Sequence, residues 1–259
     1  MQLMRSLYPS PQNKLLAALP KADSALWLPH LEVVEMEQGT VLCESGDVLG
    51  HVYFPTTSIV SLLYMMENGS SAEIAVVGSE GVVGVSLFMG GQSTPSRMLV
   101  RNAGQAVRIE ASLMMREFNK GGEIQHLLLL YTQALITQMT QTAACNQHHS
   151  LEQQLCRCLL QGLDRLHGDE IAMTHEVLAN LLGVRREGVT EAAGRLQAAG
   201  IISYRRGHIK VLDRDQLEKH SCECYGVVKA EYARLLGPKN LAQRLYWAER
   251  TDLGVVDGL

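Results

Sequence analysis

The apolar residues change their period twice along the chain, and the changes divide it into three stretches. Between Leu31 and Ile109 they come in short runs, Val33-Val34, Thr40-Val41-Leu42, His51-Val52-Tyr53-Phe54 and Ile59-Val60-Ser61-Leu62-Leu63-Tyr64. Turn formers separate the runs: Gln38-Gly39, Ser45-Gly46-Asp47, Asn68-Gly69-Ser70, Gly90-Gly91 and Asn102-Ala103-Gly104. Many short strands at regular spacing predict an antiparallel sandwich or barrel. Ahead of them, Ser10-Pro11 offers an N-cap and a first-turn proline for a short helix through Leu15, Leu16 and Leu19, which Pro20 ends.

Past Gly121-Gly122 the period lengthens. Ile124, Leu128, Tyr131, Leu135, Met139, Thr142 and Cys145 recur at steps of three and four, with no glycine or proline before Gly162. The pattern predicts one long helix with a coiled-coil-like seam, apolar on enough sides to pack on its own domain and on a twin chain. His167-Gly168-Asp169 reads as a hinge. The boundaries that follow are 1–122 for the strand-rich domain, 123–166 for the long helix and 167–259 for a small domain with a helical C-terminal extension.

Within the last stretch, Thr174 is placed to cap a helix ending at Leu182, Gly183 supplies the left-handed backbone of a tight turn, and a second helix runs from Arg185 to Ala199. Counting His175 as the first position, small or branched residues fall where two steeply crossing helices need them: Ala179 fifth, Gly183 ninth and Val189 fifteenth. Leu178, Leu182, Val184 and Ala192 complete the buried set. This is a helix-turn-helix layout, in which the second helix enters the DNA major groove. Next, Ile201-Ile202-Ser203-Tyr204 and Ile209-Lys210-Val211-Leu212 flank a basic tip, Arg205-Arg206-Gly207-His208. That hairpin reads as the wing of a winged helix, with Arg205 and Arg206 meeting backbone phosphate.

Charge changes the picture once it is taken regionally. Over 259 residues the net charge is −4, which by itself argues against a polyanionic partner. Between Thr174 and Arg214, however, seven basic residues stand against four acidic ones, whereas up to His149 eight stand against twelve. The DNA-facing segment is basic and the excess negative charge lies in the strand-rich half. An aromatic content of 5% disfavours a single-strand binder that stacks bases. No apolar run approaches the ~20 residues of a membrane span. Six cysteines without a C-x-x-C pair suggest reduced thiols, and the expectation is a cytoplasmic protein without membrane contact.

The order of these parts resembles the Crp/Fnr family of bacterial transcription regulators. The resemblance rests on Leu16-Ala17-Ala18-Leu19-Pro20, on Glu37-Gln38-Gly39-Thr40-Val41-Leu42 with Ser45-Gly46-Asp47, on the long helix, and on Gly183-Val184-Arg185-Arg186-Glu187-Gly188-Val189 before a wing. It implies an α+β protein: an N-terminal antiparallel β-barrel or jelly roll of the cyclic-nucleotide-binding type, a long dimerisation helix and a C-terminal winged helix-turn-helix. It also implies a homodimer on a palindromic duplex operator, with RNA polymerase as a further partner. Arg186, Glu187 and Glu191 would face base edges beside Thr190, while Thr174, His175 and Arg185 would touch phosphate. Glu191 stands where familiar members carry arginine, and an ion pair to Arg195 is an equal reading for it.

The effector region departs from the family pattern. Gly78-Ser79-Glu80-Gly81-Val82-Val83-Gly84 has no Glu after Gly84, and Ser96-Arg97 reverses the usual Arg-Ser order. Glu80, Gly81, Gly84, Ser96 and Arg97 remain the candidate effector residues, and a small molecule other than cyclic AMP is expected. No cysteine cluster precedes Cys43, which argues against an iron–sulfur cofactor of the oxygen-sensing type. Cys145, His149 and Cys156 fall on one helical stripe and across a dimer could bind metal or sense redox state; the commoner reading of such residues is buried small hydrophobes and a capping histidine. Cys222-Glu223-Cys224 reads as packing. No nucleophile with a paired base is evident, so an enzyme is not expected. The competing reading is a small-molecule sensor module whose helix-turn-helix serves protein contact.

Overall fold

Alternation in the strand-rich region resolves into two antiparallel sheets that share one apolar core. The structure is a computed structural model, and it describes residues 12–166 and 168–237. One sheet has the order β1 (Glu32–Met36), β7 (Gly104–Glu110), β3 (His51–Pro55). The other has the order β2 (Val41–Cys43), β6 (Ser96–Asn102), β4 (Ile59–Met65), β5 (Ser71–Val77). Inward residues such as Val52, Phe54, Val60, Val77, Val100 and Ile109 are buried between them, as expected of an antiparallel sandwich. A short helix α1 (Lys14–Ala17) closes the entrance. Its cap is Asn13, whose Oδ1 accepts from Leu15 N and Leu16 N while its Nδ2 donates to Pro55 O and Gly81 O. The cap expected at Ser10-Pro11 lies outside the described residues. Helix α2 (Lys21–Trp27) ends on Trp27, packed against Phe54 with ring centroids 6.1 Å apart.

A small helix α3 (Val85–Phe88) and then α4 (Ala111–Asn119) lead to the long helix. The helix expected to run unbroken over 123–166 is two helices, α5 (Gly122–His148) and α6 (Leu151–Leu163). His149 turns to extended backbone. Ser150 then opens α6 with a capping box: its Oγ accepts from Gln153 N, and the Gln153 side chain accepts from Ser150 N. The predicted seam is also turned inward. Ile124, Leu128, Tyr131, Leu135, Thr142 and Cys145 are buried within their own chain, and Gly81 lies so close to Tyr131 that any Cβ there would overlap the ring. The apolar residues that α5 presents outward are Leu129 and Ile136.

The C-terminal part has a three-stranded sheet in the order β8 (Glu170–Ala172), β10 (His208–Val211), β9 (Ile202–Arg205). Around it lie α7 (His175–Leu182), α8 (Arg186–Ala198), α9 (Arg214–His220) and α10 (Glu223–Leu236). The apolar face of α6, Leu155, Leu159, Leu160 and Leu163, belongs to this core, and so does Leu63 from β4. The polar face of α6 reaches back to the strand-rich domain. Arg165, just past its end, lies 2.7 Å from Glu80 and also donates to Gln138 Oε1 and to Gln161 O. Arg101 of β6 pairs with Glu73 of β5 at 3.2 Å and points its other nitrogen at Cys158 of α6; Ser61 Oγ is a further donor to the Glu73 carboxylate. Both pairs are nearly dry, so each guanidinium depends on its carboxylate.

Replacing Glu80 by alanine strands the Arg165 charge and is expected to cost about 3–5 kcal/mol in urea unfolding at fixed protein concentration. Replacing both residues by apolar ones of similar size (Glu80→Leu with Arg165→Met) should recover most of that loss. A Glu80→Ala cost below about 1 kcal/mol would show that the pair is not dry.

Candidate nucleic-acid interface

Thr174 caps α7 through Oγ1, which accepts from Val177 N at 3.2 Å. At the other end Gly183 adopts φ 67° and ψ 34°, the left-handed conformation that lets the chain reverse into α8 without a side-chain clash. Leu178, Ala179 and Leu182 of α7 meet Val189, Ala192 and Leu196 of α8, all buried, so the outer face of α8 is free. Arg186, Glu187, Thr190 and Glu191 are on that face, exposed, and Arg185 stands at its N-terminus.

The wing is tighter than the sequence suggests. Its strands run through Arg205 and from His208, leaving a two-residue turn at Arg206-Gly207, with φ 52° and 83°. Both values are positive, as a type I′ turn requires. Glycine accepts this freely; arginine is strained there by roughly 1–2 kcal/mol. A guanidinium is therefore held at the tip at some cost in stability.

His175 joins three elements. Thr190 Oγ1 donates to Arg186 O, which makes it the acceptor for His175 Nδ1 at 3.0 Å, and the imidazole stacks on Tyr204 of the wing with centroids 4.0 Å apart. Burial first, and then the nearby Arg186 charge, hold its pKa below the ordinary 6.5. His175 thus locks the recognition helix to the wing as a neutral ring. The predicted Glu191 ambiguity resolves to an ion pair with Arg195 at 3.1 Å, and Arg195 also binds Glu152 of α6 at 2.7 Å.

The arginines separate into two groups. Among the described residues, Arg97, Arg101, Arg108, Arg116, Arg165, Arg195, Arg214 and Arg234 each have a carboxylate partner, and Arg157 bonds Thr142 and Gln161. Among the described residues, the guanidinium groups of Arg185, Arg186, Arg205 and Arg206 meet neither an ion-pair nor a hydrogen-bond partner. All four are exposed, two at the start of α8 and two at the wing tip. Unneutralised guanidinium groups flanking a helix with a free face are the electrostatic footprint of a polyanion site.

Comparison with known proteins agrees with this geometry. Residues 153–220 match the Crp-like helix-turn-helix domain, and residues 33–120 match the cyclic nucleotide-binding domain. The chain belongs to the Crp/Fnr family of transcription regulators. Among solved structures of Crp/Fnr type, FixK2 from Bradyrhizobium japonicum superposes with a TM-score of 0.65 at 15% identity, covering 74% of this chain and 98% of that one. A regulator of the family from Eubacterium rectale gives 0.64 at 17% identity, covering 80% and 96%. The c-di-GMP-responsive regulator CLP of Xanthomonas campestris gives 0.60 at 18% identity, covering 74% and 99%. No curated protein matches the chain by sequence. The families matched are regulators and not enzymes, and among the described residues no helix is long and apolar enough to cross a membrane.

In the predicted effector region several residues are already committed to partners within the chain. Glu80 is committed to Arg165, and Gly81 is the contact point for Tyr131. Gly84 has φ 115° at the start of α3; Ser96 is buried on β6. Arg97 pairs with Glu44 at 2.8 Å. A cavity of about 470 Å³ opens between α1, the end of α6 and α10, and of the predicted effector residues only Glu80 lines it. Of the cysteine stripe, Cys156 is buried in the core under the helix-turn-helix, because the break at His149 rotates α6 away from the axis of α5. Cys145 meets Cys222 and Cys224 instead.

Because His175 loses proton affinity on folding, it contributes stability that is complete above pH 6.5 and declines as pH falls through its lower folded value. His175→Phe keeps the ring and removes the titration, so the urea midpoint should lose part of its fall as pH drops below 6.5. An unchanged slope would mean that His175 is not desolvated.

Proposed function

We propose that the protein is a homodimeric, sequence-specific DNA-binding transcription regulator whose N-terminal domain responds to a small-molecule effector other than cyclic AMP. The observation that carries this reading is that, among the described residues, the four arginines whose guanidinium groups have no partner stand at the recognition helix and the wing. Arg186 offers a fork to the O6/N7 edge of guanine, Glu187 accepts from the amino group of cytosine, and Arg185, Arg205 and Arg206 bind phosphate. Thr174, bonded at its hydroxyl to the α7 backbone, leaves the first amides of that helix for a phosphate oxygen. Two copies address half-sites one helical turn apart, about 34 Å, which makes the operator palindromic. The bound dimer would then present its outer surface to RNA polymerase.

Dimerisation is assigned to the outer stripe of α5. Leu129 and Ile136 are 49% and 53% exposed and lie seven residues apart, with Ala143 following at the same interval. One exposed apolar residue per heptad, away from the buried face, is the spacing along which a partner helix could pack. As for the effector, a cyclic phosphate at Arg97 would have to displace the Glu44 carboxylate, and Glu80 is withdrawn from any ribose by Arg165. Both features favour a different ligand.

Duplex binding should weaken steeply with salt, and Arg206→Asn should reduce the log–log slope by about one while affecting all sequences alike. Asparagine tolerates the left-handed turn, so the same variant should fold as stably as the parent or better. Arg186→Ala should cost about 1–3 kcal/mol at the preferred site and relax its base preference. Salt-insensitive or absent duplex binding, with partner-protein binding retained, would instead favour a sensor whose helix-turn-helix contacts protein. For the dimer, Ile136→Asp should give monomers in sedimentation at micromolar concentration; a variant that stays dimeric rejects the stripe.

A further inference from the structure

Cys145 ends the long helix, His149 follows it by one turn, and Cys222 and Cys224 begin α10. The structure brings all four together, with their sulfur and nitrogen ligand atoms within 4.8 Å of one another. Cys145 Sγ and Cys222 Sγ are 3.4 Å apart, and Cys224 Sγ is 3.6 Å from His149 Nδ1. The first distance is far beyond a disulfide bond of about 2.0 Å. Tetrahedral zinc with Zn–S near 2.3 Å and Zn–N near 2.0 Å places neighbouring ligands roughly 3.8 Å (S to S) and 3.5 Å (S to N) apart. The four atoms are thus spaced for one ion, and too closely for a polynuclear iron–sulfur cluster.

Two surrounding groups point the same way. His149 Nε2 lies 3.2 Å from the Glu223 carboxylate, which fixes the tautomer with hydrogen on Nε2 and leaves Nδ1 free to face the sulfurs. A carboxylate behind a ligating histidine is the usual outer support of a zinc site. Arg157 is buried, has no carboxylate partner among the described residues, and acts electrostatically on the Cys145 sulfur. Three thiolates and a neutral histidine around a divalent ion carry a net charge of about −1, which is the counter-charge Arg157 lacks.

We propose that Cys145, His149, Cys222 and Cys224 form a mononuclear tetrahedral site for a borderline-soft divalent transition metal of the zinc class. On binding, the three thiols release their protons to solvent as sulfur–metal bonds form, with no change of oxidation state. The ion clasps the C-terminal end of α5 to the turn between α9 and α10. His220, the last residue of α9, contacts Glu152, and Glu152 holds Arg195 of the recognition helix. The clasp therefore fixes the recognition helix relative to the dimer helix, and its removal loosens that placement. This consequence rests on the DNA-binding reading; the metal site does not.

The full-length protein, stripped with chelator and reductant and titrated with Co²⁺, tests the site directly. One ion per chain, with the visible bands and sulfur-to-metal charge transfer of a tetrahedral thiolate site, is expected, and Zn²⁺ should bleach them. Cys224→Ser should lose the bands, and Glu223→Gln should keep them while weakening affinity by about 10–100-fold. Circular dichroism of each variant separates lost ligation from lost folding. No stoichiometric binding by the folded parent, octahedral cobalt spectra, or a Cys145–Cys222 disulfide as the only product of the cluster would overturn the proposal. Operator affinity is expected to fall about tenfold on stripping and to return with Zn²⁺. Metal binding without that change would overturn the coupling while leaving the ion site in place, and absence of any duplex binding would count against the DNA-binding reading instead.

Discussion

Helix α6 has to satisfy two cores at once, and the rest of the molecule is arranged around that demand. Its apolar face completes the core under the helix-turn-helix, while its polar face and C-terminal flank meet the sensor through buried guanidinium groups. Charges that far from water hold only one geometry well, because a displaced guanidinium loses its carboxylate without regaining hydration. The sensor and the DNA-binding domain are consequently coupled by contact. Leu63 of the sensor sheet lies in the helix-turn-helix core, and Gly183 of the turn faces Ala72 of β5. A ligand that moved β4 or β5 would displace the base of the recognition unit directly.

The neutralisation pattern follows from the same economy. Arginines that hold the architecture together have carboxylate partners or lie among buried hydrogen-bond acceptors. Those at the start of α8 and the wing tip have none, and one of them occupies a backbone conformation arginine disfavours. Strain tolerated at an exposed tip has no packing explanation in the chain itself; a polyanion supplies one. The mild negative charge of the whole chain conceals this because the sensor carries the acidic excess.

The helix-turn-helix was legible in the sequence because each of its backbone demands has a distinctive residue: Thr174 for the cap, Gly183 for the reversal, Ala179 and Val189 for the crossing. The runs of β1 to β4 and of the wing strands were legible for a similar reason, whereas β5, β6, β7 and the three-residue β8 were not singled out. The long helix was read too simply. A period of three and four marks a buried face without saying what buries it, so the inward face of α5 passed for a dimer seam. The break at His149 was announced by Ser150-Leu151-Glu152-Gln153, a capping-box pattern inside an otherwise unbroken helical run. Arg97 and Glu80 could not be judged from sequence, since their partners Glu44 and Arg165 lie far along the chain. The same holds for the cysteine cluster, whose halves are 77 positions apart.

Under the proposed function, two copies of this chain read a symmetric duplex through α8 and the wing. Selection of bound sequences from a random duplex pool by the full-length protein tests it most directly, with the Arg186→Ala variant run in parallel. The expected result is enrichment of an inverted repeat with half-site centres about one helical turn apart, and loss of preference at one symmetric pair of positions in the variant. A pool that remains random after repeated rounds, or an enriched site without dyad symmetry, would contradict it.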